Sequence, residues 1–573
     1  MRRSPAPTFI ISLLHGVPNS FFPGSTASPC LTLADAKALV ASASGSDSPA
    51  PLVVQSVFDA PRVEYDPIRR RFHSLAVTTS PARPRAPLLG SAPDRAALHA
   101  QRFLWLAQRM ERNPLFARPA LTGVTTGGEA HAGGAACELA DVRTLLASPP
   151  GAVRVVLGCL AQLEDGRFYL EDPTGNVPLI LSGAVAAAGG YFVEGGAALV
   201  EGVLTRSRAF EARALGQPPL EARALTLAGP WQGLPTLVPQ ALAEAAAAGA
   251  LPPPPRLVLL ADCRLDDPAT LPRLGAVFAG YEGAAGAAAA AAAAVGVPPP
   301  PPPAFVLMGD FWGGGGSGWW GGGGGAGGRA PGRGGATAAA AFAALGALAA
   351  RHPTLAAGST FIFIPGPADA AGAGCSLLPG PPLPPSLAAP LTASLGAARC
   401  AFPSNPARLR VGGKEVVIFR SDMAARLRAA ALLPPTDGVG GGGAAGEAAG
   451  AAAPTQAQAA ALAAAADASA FEHAALTLLA QAHLSPLPLD ASPVAWAHDG
   501  GLRLYPLPDA LVLAGGAGPG GRSGGSPLAV CVEGVQCVDP GSLRAGGGGV
   551  FAAYAAGRGG EGEVEVCSLP EDE

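Results

Sequence analysis

Three short apolar runs in the sequence end at acidic residues that could hold metal ions. The runs lead to Asp262, Asp310 and Asp369. An apolar run that stops at a Gly or Asp is typical of a buried parallel strand that delivers a loop to the carboxyl edge of a sheet. Carboxylates gathered at such an edge are the ligands that hold a pair of divalent metal ions for phosphoester hydrolysis.

A two-metal site also needs imidazole and amide ligands, and the sequence lacks most of them. In the calcineurin-like phosphoesterase pattern, a His follows the first Asp by two positions, but here Arg264 stands two residues after Asp262. A guanidinium cannot ligate a cation, so we expect Arg264 to pair with Asp262 instead. Asp310 keeps the second carboxylate, whereas Gly313 stands where the pattern has another Asp.

The remaining ligand positions are degenerate as well. Residues 366–369 replace the Asn-His pair, and His483 is the candidate for the lone His of the pattern. The final motif would fall at residues 511–517, which contain no His. We therefore predict a site with no catalytic residue, no bound metal and no cofactor. The degenerate ligand positions are Asp262, Arg264, Asp310, Asp369 and His483.

The elements that would position these residues alternate between strands and helices from residue 256 onward. Such alternation predicts a parallel or mixed α/β sheet. Strands are predicted at 256–261, 304–309, 360–364, 408–411, 415–419, 494–497, 502–505, 510–513 and 528–532, with helices at about 268–280 and 336–350. Low-complexity inserts at 283–303, 313–335 and 437–467 are predicted to be disordered, because Gly, Ala and Pro repeats contribute little to a core.

A different pattern precedes this region, with several short strands joined by Gly and Asp-Pro turns. The strands are predicted at 153–160, 167–171, 177–181, 198–204 and 209–215. Such a set indicates a small β-barrel. The Leu-Glu-Asp-Pro-Thr-Gly turn at 170–175 is typical of an OB-fold.

The sequence predicts the following domain organisation. Residues 1–50 form a poorly defined N-terminal region with little pattern. Residues 51–136 form a connecting segment with one amphipathic helix at about 94–112, for which Asp94 is the candidate N-cap. The OB-fold is placed at 137–225, a Pro- and Ala-rich linker at 226–255, and the phosphoesterase-like domain at 256–573.

Composition excludes several classes of function. The chain has 573 residues and a formal net charge of −4, so no global positive field draws it to nucleic acid. Its nine cysteines are scattered with no Cys-x-x-Cys, which argues against a zinc ribbon and a disulfide framework. No uninterrupted apolar stretch is long enough to span a membrane.

Nucleic-acid binding by the barrel is predicted to be weak or indirect. Phe168 and Tyr169 are adjacent and point to opposite faces of their strand, so at least one belongs to the core. Arginines near these strands are balanced by acidic residues such as Glu171 and Asp172. The Trp- and Gly-rich segment at 312–335 has only two arginines and is interpreted as an insert.

Several longer segments resemble one family, the B subunits of eukaryotic replicative DNA polymerases, and specifically those of DNA polymerase epsilon. The segments that carry the resemblance lie at 168–175, 277–281, 363–369, 377–383, 402–406, 482–489 and 502–509. Their order agrees with the family across roughly residues 50–555.

The resemblance implies a multi-domain fold, a β-barrel OB-fold followed by an α/β calcineurin-like, inactivated phosphoesterase domain with disordered Gly/Ala/Pro inserts. It also implies a nuclear, non-catalytic subunit that binds the C-terminal region of the polymerase catalytic subunit. The other expected partners are the remaining polymerase subunits and the replicative helicase assembly. Two alternatives stay open on the residues alone: an active metal-dependent phosphodiesterase and a stand-alone single-strand-binding OB protein.

Overall fold

A computed structural model of the chain describes ten segments and shows their secondary structure. The described residues are 50–74, 90–116, 137–186, 189–312, 333–369, 377–435, 456–515, 527–544, 549–557 and 562–570, with only the backbone for 333–337 and 456–467. Outside the described residues lie 1–49 of the predicted N-terminal region and most of the inserts predicted at 313–335 and 437–467.

The described segments contain 21 strands and ten α-helices. The strands are β1 Leu52–Ser56, β2 Val63–Asp66, β3 Arg71–Ser74, β4 Leu139–Ala140, β5 Val153–Glu164, β6 Arg167–Asp172, β7 Gly175–Ile180, β8 Val185–Ala186, β9 Ala197–Leu204, β10 Phe210–Gly216, β11 Leu257–Leu260, β12 Ala304–Met308, β13 Thr360–Ile364, β14 Cys400–Ala401, β15 Ala407–Val411, β16 Lys414–Arg420, β17 Ala510–Ala514, β18 Leu528–Val532, β19 Val535–Asp539, β20 Val550–Ala555 and β21 Glu563–Ser568. The α-helices are α1 Ala92–Arg112, α2 Val142–Ala147, α3 Arg223–Ala228, α4 Gln240–Ala247, α5 Thr270–Val295, α6 Arg333–Ala350, α7 Pro353–Gly358, α8 Pro385–Leu395, α9 Met423–Ala429 and α10 Gln456–Ala480. Short 3-10 helices lie at Val57–Asp59, Ala397–Arg399 and Trp496–Leu502.

Strands β5, β6, β7, β10 and β9 form a closed barrel, because β9 pairs with both β10 and β5. This confirms the small barrel predicted from the sequence. Alternate residues such as Val156, Leu170 and Phe210 fill its interior. Gly202 permits a tight approach of β9 to β10, because a Cβ there would lie 2.3 Å from the Glu211 carbonyl oxygen.

The later strands form two stacked sheets of six strands each, in the orders β1-β15-β16-β17-β19-β18 and β14-β13-β12-β11-β20-β21. Apolar side chains from both sheets, including Leu259, Val306 and Ile418, make the core between them. Helices α5 to α8 cover the outer face of the second sheet, and α9 and α10 cover that of the first. The prediction of a mixed α/β arrangement is confirmed, including the parallel register of β11, β12 and β13.

The predicted disorder of residues 283–303 is wrong for 283–295, because α5 continues to Val295. Alanine has the highest intrinsic helix propensity, so its repeats extend the helix rather than interrupt it. The helix ends where Gly296 adopts the left-handed conformation, with φ of 73°. The prediction for 437–467 is also wrong at its end, because α10 begins at Gln456.

Three smaller predictions are also wrong. Residues 494–497 and 502–505 are not strands. They overlap the two ends of the 3-10 helix Trp496–Leu502 and make only isolated bridges. Helix α1 begins at its N-cap Ser91, and Asp94 is the third helical residue. The Asp94 carboxylate accepts from the Ser91 backbone N–H at 2.7 Å, which closes a capping box.

The segments predicted as connectors form a shared core between the barrel and the sheets. Phe72, Trp105, Trp231 and Tyr505 pack against one another, with ring centroids 5.0 to 6.2 Å apart. Trp231 comes from the predicted linker at 226–255, which also contains α4. The linker is therefore part of the packed structure.

Candidate functional site

The parallel strands bring three of the predicted carboxylates to one sheet edge. Strands β11, β12 and β13 end at Leu260, Met308 and Ile364, and their residues pair in register. The loops stay joined beyond the strands: Cys263 N–H donates to the Met308 carbonyl at 3.1 Å, and Gly309 N–H donates to the Ile364 carbonyl at 2.9 Å. The predicted carboxyl edge is thus confirmed as the place where Asp262, Asp310 and Asp369 lie.

Asp369 is buried and fully engaged by backbone donors. Its carboxylate accepts from the N–H groups of Phe311 and Gly366 at 2.9 Å, and from Trp312 at 3.3 Å. Burial and the neighbouring Asp310 raise the pKa of Asp369 to about 7, against the opposing effect of these hydrogen bonds. Asp369 therefore titrates close to neutral pH.

Two glycines allow the loops to approach so closely. A Cβ on Gly309 would lie 2.0 Å from Asp369 Oδ2, and a Cβ on Gly366 would lie 2.2 Å from Asp310 Oδ1. Asp310 accepts from the Ala368 N–H at 2.7 Å, which closes the second loop onto the third. No other residue type fits at either glycine without displacing a carboxylate.

A buried arginine that the sequence analysis missed supplies the positive charge of this edge. Arg420, the last residue of β16, donates from Nη2 to Asp262 Oδ1 and from Nε to the Gly309 carbonyl. Its Nη1 donates to the Ala514 carbonyl at 3.1 Å. Asp262 Oδ2 accepts from Ser542 Oγ at 2.6 Å. Both oxygens of Asp262 are therefore bound to protein donors.

The expected pairing of Arg264 with Asp262 is wrong. Arg264 instead binds the exposed Asp266, from Nε to Oδ1 at 3.2 Å and from Nη2 to Oδ2 at 3.0 Å. Arg420 takes the position expected for Arg264, because β16 delivers it to the carboxyl edge from the facing sheet. The signal in the sequence was a charged residue directly after the apolar run of that strand.

The expectation for His483 is also wrong, because it belongs to a separate cluster at the junction with α1. His483 Nε2 lies 3.2 Å from Asp499 Oδ1, and Asp499 also forms an ion pair with Arg102. Burial and Arg102 lower the pKa of His483. Burial opposes the ionised form of Asp499, but Arg102 and His483 hold its pKa below the usual range.

Side chains of α10 fix the barrel in place. Thr477 Oγ1 accepts from the Tyr191 N–H at 2.7 Å. Gln481, just after the helix, accepts from the Ala197 N–H at 2.8 Å and donates to the Ala197 carbonyl at 2.7 Å. The barrel is thus joined to the sheets by backbone-directed hydrogen bonds as well as by the aromatic core.

The carboxyl edge offers little to a divalent cation. Within the segments that the structure describes, no group of three or more His, Cys, Asp or Glu side chains is arranged to hold a metal ion. The oxygens of Asp262 and Asp369 face guanidinium, hydroxyl and backbone donors instead. The arrangement cross-links the loops after β11, β12 and β13 to one another and to β16.

Comparison with known proteins identifies the family. Residues 92–219 match the family described as DNA polymerase epsilon subunit 2-like, OB-fold domain, and residues 257–517 match the family of DNA polymerase alpha/epsilon B subunits. DNA polymerase epsilon subunit 2 of Mus musculus is 30% identical over 502 residues, which are 86% of this chain and 79% of the mouse protein. The chain belongs to the family of DNA polymerase epsilon B subunits.

Other members of this family match over a similar span. The B subunit of DNA polymerase epsilon from Arabidopsis thaliana is 28% identical over 90% of this chain and 83% of its own length. DNA polymerase epsilon subunit 2 of Homo sapiens is 29% identical over 86% of this chain and 79% of the human protein. The second family match includes Asp262, Asp310, Asp369 and Arg420, so the carboxyl edge lies within the part shared with the family.

The OB-fold match to the family starts at residue 92 and therefore includes helix α1, which the sequence analysis placed in a connecting segment. In the structure, α1 contributes Trp105 and Met110 to the core shared with the barrel.

None of the helices in the described segments has the length and apolar character needed to cross a membrane.

Proposed function

We propose that this chain is a non-catalytic accessory subunit of a DNA polymerase epsilon complex and acts in the nucleus during DNA replication. In this role it binds the C-terminal region of the catalytic subunit and links it to the other subunits and the replicative helicase assembly. Family membership supports the assignment to the complex. The observation that carries the non-catalytic role is the buried Arg420 guanidinium bound to Asp262.

The chemical reason is that the Arg420 guanidinium occupies the position beside Asp262 that a metal ion would need. The two stacked sheets with helices on both outer faces support a calcineurin-like phosphoesterase origin, in which Asp262 would be a metal ligand. A divalent ion about 4 Å from the guanidinium would experience repulsion on the order of 8 kcal/mol at an effective dielectric constant of about 20. The Asp262 carboxylate is already neutralised by Arg420, so it offers little attraction to offset that repulsion.

The packing supports a scaffold role. The barrel, α1, the linker and the sheets share a core, so they present one continuous surface to a partner. An obligate interface of this kind typically buries more than about 2,000 Å². DNA contact through the OB-fold is proposed to be weak or indirect, since the chain as a whole carries a net charge of −4.

Two measurements on the purified full chain test this proposal. It should co-purify as a defined complex with the C-terminal region of the catalytic subunit. With manganese and a chromogenic phosphodiester, the unmodified chain and Asp310→Ala should both show only background hydrolysis. Failure to bind the catalytic subunit, or manganese-dependent hydrolysis that Asp310→Ala abolishes, contradicts the proposal.

A direct test of DNA binding completes the comparison. Labelled single-stranded oligonucleotides should bind the isolated chain weakly at physiological salt. Tight binding that falls steeply between about 50 and 200 mM salt would instead support a stand-alone single-strand-binding protein.

A further inference from the structure

A polar cavity, away from the carboxyl edge, lies between the linker and the first sheet. Its volume is about 290 Å³. It is lined by Trp231, Arg408, Arg410, Glu415, Arg503 and Tyr505, among others. Strand β15 positions two of these residues: its odd-numbered side chains face the core between the sheets, so Arg408 and Arg410 face the cavity.

The charges around this cavity do not balance. Among the described residues that line it, Glu415 is the only acidic one, against three arginines. Its carboxylate is already shared, with Arg408 Nη1 at 2.8 Å and Arg223 Nη2 at 2.8 Å. Arg410 stands opposite Glu415 in the β15–β16 register but forms no ion pair with it. In the described part of the chain, neither Arg410 nor Arg503 has a carboxylate within ion-pair distance.

Arg503 is buried with only neutral partners. Its Nη1 donates to the Pro61 carbonyl at 3.2 Å and to the Gly500 carbonyl at 2.9 Å, and its guanidinium lies 5.3 Å from the Trp231 ring centre. Burial and the neighbouring Arg408 lower the pKa of Arg503 to about 9. An additional negative charge nearby would stabilise this cation.

The unsatisfied groups at this cavity are donors. Arg410 Nε and Trp231 Nε1 are buried N–H groups with no acceptor among the described residues. Buried N–H groups in proteins usually have an acceptor, so two unpaired ones on residues that line one cavity indicate a local shortage of acceptors. Arg410 uses its Nη2 to bind the Ala50 carbonyl at 3.2 Å, which holds the guanidinium at the cavity wall.

We propose that this cavity binds a single tetrahedral oxyanion of the phosphate class, with Arg410 and Arg503 as its charged donors. The N–H groups of two guanidiniums outnumber the two oxygens of a carboxylate, whereas a phosphate offers more acceptors. Guanidinium forks match phosphate geometry. The cavity volume of about 290 Å³ is close to the lower limit of about 300 Å³ for ligand pockets, so it admits free phosphate or a small nucleotide. The anion is free phosphate or the phosphoryl group of a nucleotide.

Thermal unfolding of the full chain tests the site, with sodium phosphate exchanged for sodium chloride at constant ionic strength. Phosphate should raise the unfolding temperature saturably. Arg410→Gln should weaken the apparent phosphate affinity about tenfold, the effect of losing one charge-assisted interaction. Arg256→Gln, which removes an exposed arginine paired with Glu565, should leave the affinity unchanged and corrects for nonspecific salt effects.

Two further probes distinguish the sources of the anion. Thymidine 5′-monophosphate that binds more tightly than phosphate indicates a nucleotide, and equal affinity indicates free phosphate; both support the site. A hexaglutamate peptide that saturates while phosphate does not would overturn the proposal in favour of a carboxylate partner. The absence of a saturable phosphate effect, or equal affinity in Arg410→Gln, would also overturn it.

A structural measurement keeps the proposal testable if Arg410→Gln does not fold. Crystals of the unmodified protein soaked in selenate should show an anomalous peak between the Arg410 and Arg503 guanidiniums. Selenate bound only elsewhere on the surface would refute the assignment.

Discussion

The Arg420 guanidinium offers the sharpest test of how the carboxyl edge is held together. Arg420→Met keeps much of the side-chain volume but removes the donors to Asp262, Gly309 and Ala514. Asp262 is left as a buried carboxylate with Ser542 as its remaining side-chain donor. Removing one partner of a buried ion pair typically costs about 3–5 kcal/mol, because the other charge stays uncompensated.

We therefore expect Arg420→Met to lower the free energy of unfolding by about 4 kcal/mol at pH 7.5. At about 2.1 cal/mol/K per residue, a unit of about 420 residues that unfolds in one step loses about 1 °C for each kcal/mol, so a decrease of about 4–5 °C is expected.

Chemical denaturation and calorimetry can measure these changes. Arg264→Met is the matched control, because its partner Asp266 is at the surface and such pairs contribute less than about 1 kcal/mol. The double variant Asp262→Asn, Arg420→Met should regain at least half of the lost stability, since no unpaired charge remains. A loss below about 1 kcal/mol for Arg420→Met, or an equal loss for Arg264→Met, would refute the reasoning.

The remaining predictions concern the same edge and the junction. In calorimetry, millimolar manganese should raise the unfolding temperature of Arg420→Met but not that of the unmodified chain. Only in the variant is the Arg420 guanidinium absent from Asp262. Because the folded-state pKa of Asp369 is raised to about 7, the native state holds a proton that the unfolded chain has lost, so stability should fall as pH rises from about 4 to about 7. Asp369→Asn should flatten this dependence in denaturation series across that range. Gly309→Ala should cost at least about 2 kcal/mol in urea unfolding by overpacking, whereas Gly280→Ala, in open space on α5, should stabilise slightly. Arg102→Met should lower the free energy of unfolding by about 3 kcal/mol, because the buried Asp499 loses its arginine partner. Limited proteolysis should then cut near α1 faster than in the unmodified chain.

The carboxyl edge is predictable from the sequence because strands leave a local signal. A fully apolar run that ends at Asp or Gly is determined by neighbouring residues, so the sequence alone places Asp262, Asp310 and Asp369 together. Arg420 cannot be assigned in this way, because it lies 158 residues from Asp262 and its role depends on how two sheets stack. Arg264 lies two residues after Asp262, and the prediction that the two side chains pair rests only on this proximity in sequence. That prediction is wrong, because Arg264 binds Asp266.

The failed predictions elsewhere have equally physical causes. Composition predicts disorder for the Ala-rich part of α5, although alanine favours helix wherever no proline intervenes. Residues 494–497 contain apolar residues at strand-like spacing. However, Val494 makes only an isolated bridge with Leu378, and the chain then enters a 3-10 helix at Trp496. His483 matches a ligand position only by order along the chain, and its place beside the buried Arg102–Asp499 ion pair explains it better.

The aromatic core around Trp231 has a practical consequence for dissecting this chain. Phe72 and Trp105 come from before the barrel, Trp231 from the segment between the two family matches, and Tyr505 from near the end of the second. A fragment cut between residues 219 and 257 would carry only part of this cluster and would expose large rings to water. Such fragments should aggregate, while indole fluorescence in the intact chain should report barrel and sheets unfolding in a single step.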